Sequence, residues 1–276
     1  MSAVDQAADL LRGKRLLVLS GAGLSTDSGI PDYRGPASPP RSPMTYQEFI
    51  SGPGAQQRYW ARSHVGWRTM LRAEPNDGHR EVAGLETAGV VDAVITQNVD
   101  GLHQGAGSRN VIDLHGRLDC VLCLSCGRRS SRGRLDDRLA AANPGFTEVG
   151  FVQVAPDGDA VVSDVSAFRL VGCEICGGRL KPDVIFFGEN VPRHRVDHCF
   201  ALLESVQALL VVGSSLTVQS GLRFVRRAHA LDFPVVIINR GVTRGDALAD
   251  LRLHAGCSET LRALRQLLLA GEAVGG

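Results

Sequence analysis

The sequence of 276 residues predicts an α/β fold in which a doubly wound parallel sheet carries a small inserted module. Short apolar runs alternate with helical stretches along most of the chain. The runs at residues 209–212 and 235–238 are apolar at every position, which is typical of strands buried on both faces of a sheet. Residues 116–180 interrupt the alternation and hold two close-spaced cysteine pairs. Together these observations favour a Rossmann-like architecture with an insertion.

The expected strands and helices follow from the apolar pattern. We expect strands at residues 14–20, 91–96, 111–114, 184–187, 208–213 and 234–239. Helical periodicity predicts helices at residues 56–72, 79–88, 195–206, 221–230 and 258–270. The inserted segment is rich in turn residues and shows little helical periodicity. We therefore expect a Rossmann-like domain formed by residues 1–115 and 181–276, and a separate module at residues 116–180.

The composition argues against several classes of protein. Hydrophobic residues make up 44% of the chain, enough for a sizeable core, and the formal net charge of +1 gives no general attraction to nucleic acids or membranes. No apolar run reaches the length needed to span a bilayer. Residues 1–9 carry acidic side chains and no apolar core of a secretion signal, and free thiols suit a reducing compartment. We expect a cytoplasmic protein without a membrane partner.

The two cysteine pairs predict a structural zinc site. Cys123, Cys126, Cys173 and Cys176 offer four thiolates, which is the number that a closed tetrahedral site needs. A glycine follows each pair, where the backbone of a metal-binding knuckle favours positive φ. A module this short can bury little apolar surface. A bound metal would therefore stabilise it. Buried free thiols or a disulfide are the alternative interpretations, and Cys120 has the spacing to replace Cys126 as a partner of Cys123.

Glycines and polar residues follow the ends of the expected strands. Since ligands of open α/β sheets bind at the carboxyl ends of the strands, we expect these residues to meet in one crevice. They are Gly21, Ala22, Gly23, Gln97, Asn98, Asp100, His115, Gly213, Ser214, Ser215, Asn239 and Arg240. Gly21 and Gly23 would let the backbone approach a pyrophosphate. Thr26 replaces the third glycine of the dehydrogenase fingerprint, so either a dinucleotide binds in another way or the turn is purely structural.

Several motifs of the chain resemble those of the sirtuins, a family of NAD-dependent protein lysine deacylases. The segment 21–35 is similar to the family's opening signature, and the paired cysteines match its zinc ligands. Further matches are residues 96–103, 114–116, 181–189, 213–216 and 238–240. The resemblance extends from about residue 13 to residue 268. Residues 58–62, 65–67 and 155–159 are similar to the class II branch, so the chain resembles a bacterial member of that branch.

The resemblance implies a reaction and a set of residues for it. A lysine-bound acyl group would be transferred to NAD, giving nicotinamide, free lysine and O-acyl-ADP-ribose. His115 would act as general base, with Asn98 and Asp100 holding the nicotinamide end of NAD. NAD would also contact the strand-end residues above, together with Asp32, Tyr33, Arg34 and Cys257. Considered without the family, Asp100 could simply cap a turn and His115 could be an ordinary interior histidine.

The resemblance also implies a protein substrate that binds as an extended strand. Phe187, Gly188 and Glu189 would lie on one side of it and residues 218–221, beginning with Val218, on the other. Tyr59 and Arg62 are three residues apart on an expected helix and resemble the Tyr-x-x-Arg pair with which class III sirtuins hold acidic acyl groups. We therefore expect acetyl groups, and also longer or acidic acyl groups, as substrates. The alternative is that both side chains pack against or solvate the helix.

Other functions remain open at this point. The same NAD pocket could transfer ADP-ribose to a protein instead of removing an acyl group. A zinc-ribbon module that binds nucleic acid is disfavoured, because basic and aromatic residues are not interleaved around the cysteines. We interpret the arginines at positions 128, 129, 132 and 134 as a solvated face and expect no nucleic-acid partner. A dehydrogenase is disfavoured by the incomplete glycine fingerprint.

Overall fold

The computed structural model describes residues 1–34, 43–146, 155–162 and 164–270. Its strands are β1 (Leu16–Ser20), β2 (Val91–Thr96), β3 (Val111–Asp113), β4 (Gly116–Cys123), β5 (Arg129–Ser131), β6 (Leu180–Val184), β7 (Ala208–Val212), β8 (Val235–Ile238) and β9 (Leu251–Leu253). Its α-helices are α1 (Ala3–Leu11), α2 (Tyr46–Ile50), α3 (Pro53–Arg72), α4 (Asp77–Thr87), α5 (Leu102–Gly105), α6 (Arg132–Ala142), α7 (Arg193–Glu204), α8 (Gln219–Ala230) and α9 (Cys257–Ala270). Short 3₁₀ helices occupy Ala22–Ser28 and Asp246–Leu248.

The main sheet has six parallel strands in the order β3-β2-β1-β7-β8-β9. Counted along the chain, this is the 3-2-1-4-5-6 order of dinucleotide-binding α/β domains. Alternate residues of each central strand enter opposite cores: Leu16 and Val18 pack with α1, α4 and α9, whereas Leu17 and Leu19 pack with α7 and α8. Both faces of the sheet are therefore covered, which confirms the prediction drawn from the continuous apolar runs.

The prediction of a strand at residues 184–187 was wrong. The strand is β6, which begins at Leu180 and pairs antiparallel with β4 in the smaller sheet of order β5-β4-β6. Residues 185–187 leave that sheet, and Phe187 forms an isolated bridge with Thr45 instead. Val184 and Phe186 of this apolar run are buried in one core with Tyr59 and Trp60 of α3, so the run is apolar although it does not belong to the parallel sheet. Strand β6 also crosses the expected domain boundary at residues 180 and 181.

The inserted module is more regular than expected from its sequence. Helix α6 packs against β4 and buries Leu135 and Leu139, one helical turn apart. The interpretation of Arg132 as part of a solvated face was wrong, because its side chain is buried with the guanidinium carbon 5.3 Å from the ring centre of Trp60. Asp136 accepts a 3.1 Å hydrogen bond from Arg132 and so compensates the buried charge. The module is thereby anchored to α3.

Helix α1, helix α2 and strand β9 were not expected from the sequence. Helix α1 is short and begins with a capping box in which Ser2 and Asp5 each bond the other's backbone N–H. Within the described ranges, no helix has both the length and the apolar character required to cross a membrane.

Candidate active site

A cavity of about 560 Å³ opens at the carboxyl ends of β1, β2, β7 and β8. It extends from the glycine turn after β1 to the segment after β6. Most of the residues expected at the site line it: Gly21, Ala22, Gly23, Asp32, Tyr33, Arg34, Tyr59, Gln97, Asn98, Asp100, His115, Phe187, Gly188, Glu189, Gly213, Ser214, Ser215, Val218, Asn239 and Arg240. Two described residues of the expected set, Arg62 and Cys257, lie outside this lining. The sheet topology therefore gathers residues from distant parts of the chain into one crevice.

The glycines after β1 are required by a close backbone crossing with the end of β7. A Cβ atom on Gly21 would lie 2.8 Å from the carbonyl oxygen of Gly213, and one on Gly23 would lie 2.9 Å from it. Gly23 N–H donates a 2.8 Å hydrogen bond to that same oxygen, and Gly213 has φ of 63°. Cys257 stands behind the turn, with Sγ 3.8 Å from Gly23 O. The turn is thus packed tightly from behind while its open side faces the cavity.

Asn98 and Asp100 are held in fixed positions by Ser25, a buried residue that sequence reasoning missed. Asn98 Nδ2 donates to Gly21 O at 3.1 Å and to Ser25 Oγ at 3.0 Å, and Ser25 Oγ donates to Asp100 Oδ2 at 2.7 Å. Asp100 Oδ1 also accepts from Leu102 N–H at 3.0 Å, so it bonds the first residue of α5 as well as lining the cavity. Burial raises the pKa of Asp100 above its usual range, although these hydrogen bonds oppose the shift.

His115 lines the cavity, and both of its ring nitrogens are engaged. Nδ1 lies 2.9 Å from the carbonyl oxygen of Gln97, which can only accept, so Nδ1 carries the proton. Nε2 therefore has the lone pair, and it accepts a hydrogen bond from Ser220 Oγ at 2.8 Å. Burial lowers the pKa of His115 to about 4, with the bond to Gln97 opposing that shift. The imidazole is neutral at pH 7 and presents a basic nitrogen to the cavity.

The Gln97 side chain bridges the end of β1 and the segment that follows β7. Its Nε2 donates to Ser20 O at 3.2 Å and to Ser214 Oγ at 2.8 Å. A Cβ atom on Gly221 would come within 2.5 Å of Gln97 Oε1, so a larger residue there would displace the end of the Gln97 side chain. Ser220, which precedes that glycine, lies in the segment 218–221 that was expected to flank the substrate, but its contact with His115 was not expected from the sequence.

The segment after β6 is anchored by a buried charge pair. Lys181 Nζ lies 3.0 Å from Glu189 Oε2 and also donates to Val184 O. Glu189 Oε2 accepts from Phe186 N–H at 2.9 Å, so the carboxylate closes the turn. Burial lowers the pKa of Lys181, and the Glu189 carboxylate opposes that shift. Glu189 therefore fixes the turn at the cavity edge by bonding Lys181 and the N–H of Phe186.

Tyr59 and Arg62 do not face the cavity together. Tyr59 is buried with Phe49 and Phe186, at ring-centre distances of 5.3 Å from each. The guanidinium of Arg62 turns toward the module, where Nη2 lies 2.8 Å from Asp159 Oδ2 and Nε donates to Ala160 O at 3.0 Å. The pairing predicted for an acidic acyl group is absent from the described arrangement, because a carboxylate of the protein itself contacts Arg62.

The four expected cysteines converge on one point. Their sulfur atoms all lie within 4.8 Å of one another, with Cys123 Sγ 3.6 Å from Cys176 Sγ and Cys126 Sγ 3.9 Å from Cys173 Sγ. A tetrahedral zinc with bonds of about 2.3 Å separates its sulfurs by about 3.8 Å, so the spacing fits the ion. Backbone N–H groups directed at the sulfurs, led by that of Cys126 at Cys123 and that of Ile175 at Cys173, lower the pKa of these two thiols, whereas the neighbouring thiols raise the pKa of Cys176.

The two cysteine pairs have the same backbone geometry. Gly127 N–H donates to Cys123 O at 3.0 Å, and Gly177 N–H donates to Cys173 O at 2.8 Å. Both glycines have positive φ, 72° and 69°. Cys120 is on β4 opposite Ser131 and does not belong to the cluster, so the alternative pairing with Cys123 does not hold.

Comparison with known proteins agrees with this geometry. A model described as the Sir2 family matches residues 21–220, and the chain belongs to that family. It is 57% identical over 259 residues to NAD-dependent protein deacetylase 1 of Mycobacterium avium (strain 104), covering 92% of each chain. It is also 57% identical over 272 residues to NAD-dependent protein deacetylase 1 of Streptomyces coelicolor, covering 96% of this chain and 91% of the relative.

Solved structures show the same fold. One described as "Sir2-p53 peptide-NAD+" superposes with a TM-score of 0.76 at 31% identity, covering 99% of this chain and 100% of the other. Another, described as "The Structural basis for Sirtuin Substrate affinity", has a TM-score of 0.75 at 28% identity and covers 99% of both chains. The resemblance to sirtuins noted in the sequence is therefore confirmed at the level of family and fold.

Proposed function

We propose that the protein removes acetyl groups from protein lysines by transferring them to NAD. The observation that carries this proposal is the position of His115, whose neutral Nε2 faces a cavity between the glycine turn and residues 187–189. Relatives that are 57% identical are named NAD-dependent protein deacetylases, which supports the same activity here. The products would be nicotinamide, free lysine and O-acetyl-ADP-ribose.

The residues present fit NAD as the second substrate. The turn at Gly21, Ala22 and Gly23 lines the cavity, where its backbone could approach a pyrophosphate. When bound, NAD supplies the ribose carbon that the acetyl oxygen attacks as nicotinamide leaves. Asn98 and Asp100, held by Ser25, would orient the carboxamide of the nicotinamide ring.

His115 would then act as the general base. Its Nε2 lone pair accepts a proton from a ribose hydroxyl, which strengthens that oxygen as a nucleophile toward the acyl carbon. The Nδ1–H bond to Gln97 O holds the ring in the tautomer that this step requires, and it also stabilises the imidazolium that forms. Ser220 Oγ would have to release Nε2 to the ribose hydroxyl, since both need the same lone pair.

We infer that a substrate peptide binds as an extended strand beside residues 187–189. The bridge between Thr45 and Phe187, with Tyr46 N–H donating to Phe187 O at 2.9 Å, keeps that segment extended. Main-chain pairing on its other side would give affinity with little sequence preference. Of the expected segment 218–221, only Val218 precedes helix α8, so residues 219–221 would meet the peptide as the start of a helix and not as a strand. Zinc, held by the four cysteines, would stabilise the module without taking part in the reaction, because four thiolates leave no open position. We also propose a cytoplasmic location, because thiols that stay reduced suit a reducing compartment.

The test is an acetyl-lysine peptide incubated with NAD, followed by peptide mass and nicotinamide release. We predict that His115→Ala lowers turnover by at least about 100-fold, the usual contribution of a general base. His198→Ala is the control, because His198 is an exposed histidine on α7. Circular dichroism and zinc content should match the wild type in both variants. Near-normal turnover by a folded His115→Ala protein would remove His115 from the reaction.

A further inference from the structure

Arg223 of helix α8 lines the cavity together with two other arginines, Arg34 and Arg240. Those two were expected to contact NAD, whereas Arg223 has no role in the reaction proposed above. Its side chain is half-buried, and its Nε donates a long hydrogen bond of 3.4 Å to Gln219 O. Within the described ranges, its guanidinium forms no ion pair with a carboxylate. Arg223 therefore brings an uncompensated positive charge to the cavity.

Arg223 lies on the same side of the cavity as His115. Ser220, whose Oγ donates a 2.8 Å hydrogen bond to His115 Nε2, precedes Arg223 by three residues, so the two side chains project from one face of α8. Besides burial, the charges of Arg195 and Arg223 lower the pKa of His115, which places both guanidiniums near the imidazole. Arg195 Nη1 donates to Leu114 O at 3.1 Å and lies outside the lining, so Arg223 is the cation that faces the cavity here.

The stability of α8 does not explain a cation at this position. Cations stabilise the end of a helix and oppose the partial positive charge at its start. Val218 gives α8 no side-chain cap, and the first turn holds no acidic residue. A second arginine, Arg226, follows on the exposed surface, with Nη1 3.4 Å from Gln219 Oε1 and no ion pair in the described part of the chain. The start of α8 is therefore an electropositive surface beside the cavity.

The charged neighbours of this surface are compensated by their own partners. Glu189, at the cavity edge where the peptide is proposed to bind, lies 3.0 Å from Lys181 Nζ. Arg227, the next residue of α8 after Arg226, lies 2.7 Å from Glu204 of α7. An acidic residue that enters beside Arg223 would thus gain a cation without meeting an unpaired carboxylate at Glu189.

We propose that Arg223, supported by Arg226, recognises an acidic residue next to the acetyl-lysine, so the preferred substrates carry their acetylated lysines in acidic segments. This inference rests on the proposed deacetylation. An extended peptide advances about 3.3 Å per residue, so residues within two positions of the lysine stay within about 7 Å of it. A lysine that reaches His115 brings these residues to the start of α8. Main-chain pairing distinguishes little between sequences, and a guanidinium–carboxylate contact would add a preference.

The experiment compares acetyl-lysine peptides that carry glutamate or glutamine at each position within two residues of the lysine. With NAD, we expect the wild type to prefer glutamate about threefold to fivefold in kcat/KM at one or more positions, through KM, since a half-exposed ion pair contributes modestly. The preference should fall toward unity in about 0.5 M salt. Arg223→Gln should abolish it, and Arg223→Glu should instead favour lysine over glutamine at the same position. Arg227→Gln removes the same charge from the pair with Glu204 and should keep the preference.

The possible outcomes separate this inference from the proposed function. A wild type that uses every glutamate peptide and its glutamine partner equally well overturns the inference without any variant. A glutamate preference that persists in folded Arg223→Gln overturns it as well. So does a higher KM for NAD in that variant with an unchanged peptide preference, which would assign Arg223 to NAD. If Arg223→Gln does not fold, the reversal in Arg223→Glu and the salt dependence decide. If the wild type deacetylates none of the peptides, the proposed function fails instead.

Discussion

Two buried histidines beneath the glycine turn make the fold sensitive to acid. His79 and His103 are 0% and 1% exposed, and their ring centres are 5.0 Å apart. His103 Nε2 lies 2.8 Å from Ser20 Oγ, and His79 Nδ1 accepts from Asn76 N–H at 3.4 Å. Burial lowers the pKa of His79 to about 4 and that of His103 to about 3. Both rings are therefore neutral in the folded protein.

The depressed pKa values determine the sign and the size of the change in folding stability with pH. In the unfolded chain a histidine titrates near 6.5, so acid protonates the unfolded state first. The stability that comes from keeping each ring neutral is complete above about pH 6.5 and is lost as the pH falls toward the folded pKa. At pH 5, the loss is roughly 2 kcal/mol for each histidine relative to pH 7.5. That is a large fraction of the stability of a typical domain.

His103→Gln tests this reasoning. Glutamine can hydrogen-bond to Ser20 Oγ but does not titrate, so the variant should lose about 2 kcal/mol less stability than the wild type between pH 7.5 and pH 5. The free energy of unfolding would be measured with urea at both pH values. His198→Gln, at an exposed position, should lose as much as the wild type. Equal pH sensitivity of His103→Gln and the wild type would refute the assignment of a buried neutral ring.

Two further predictions concern the metal and the base. Cys173→Ser should abolish zinc binding and unfold the module, because zinc binding is part of its folding energy, whereas Cys120→Ser should keep the zinc and the folded module. Both variants would be compared with the wild type by metal analysis and thermal melting. A zinc-free but fully stable wild type would contradict the site. Ser220→Ala removes a donor to the His115 lone pair, so the acid limb of kcat/KM should move up by about half to one pH unit. An unshifted limb would mean that Ser220 does not set the basicity of His115.

Local patterns in the sequence were sufficient for the framework of the site. The central strands are apolar on both faces, and a parallel sheet brings their carboxyl ends together whatever the intervening loops do. The zinc ligands could be predicted equally well from the sequence, since two knuckles with their glycines are local features. For this reason the sequence could predict that His115 and Asn98 would line one crevice and that the four cysteines would lie together.

The features that the sequence could not reveal depend on partners far along the chain. Arg62 looked available until the fold brought Asp159 to it, and Arg132 looked solvated until α6 packed against Trp60 and Trp67. Ser220 is an ordinary helix residue in sequence, and only the docking of α8 brings it to His115. Such assignments require the three-dimensional arrangement, because an ionic or polar side chain is compatible with surface and interior alike.

The proposed reaction passes the acetyl group of lysine to NAD. The most direct measurement is the mass of every product after an acetyl-lysine peptide is incubated with NAD and the zinc-loaded protein. We expect one nicotinamide to be released for each acetyl group lost from the peptide, with that acetyl group recovered on ADP-ribose. Nicotinamide release with the acetyl group still on lysine and ADP-ribose attached to the peptide or protein would contradict it.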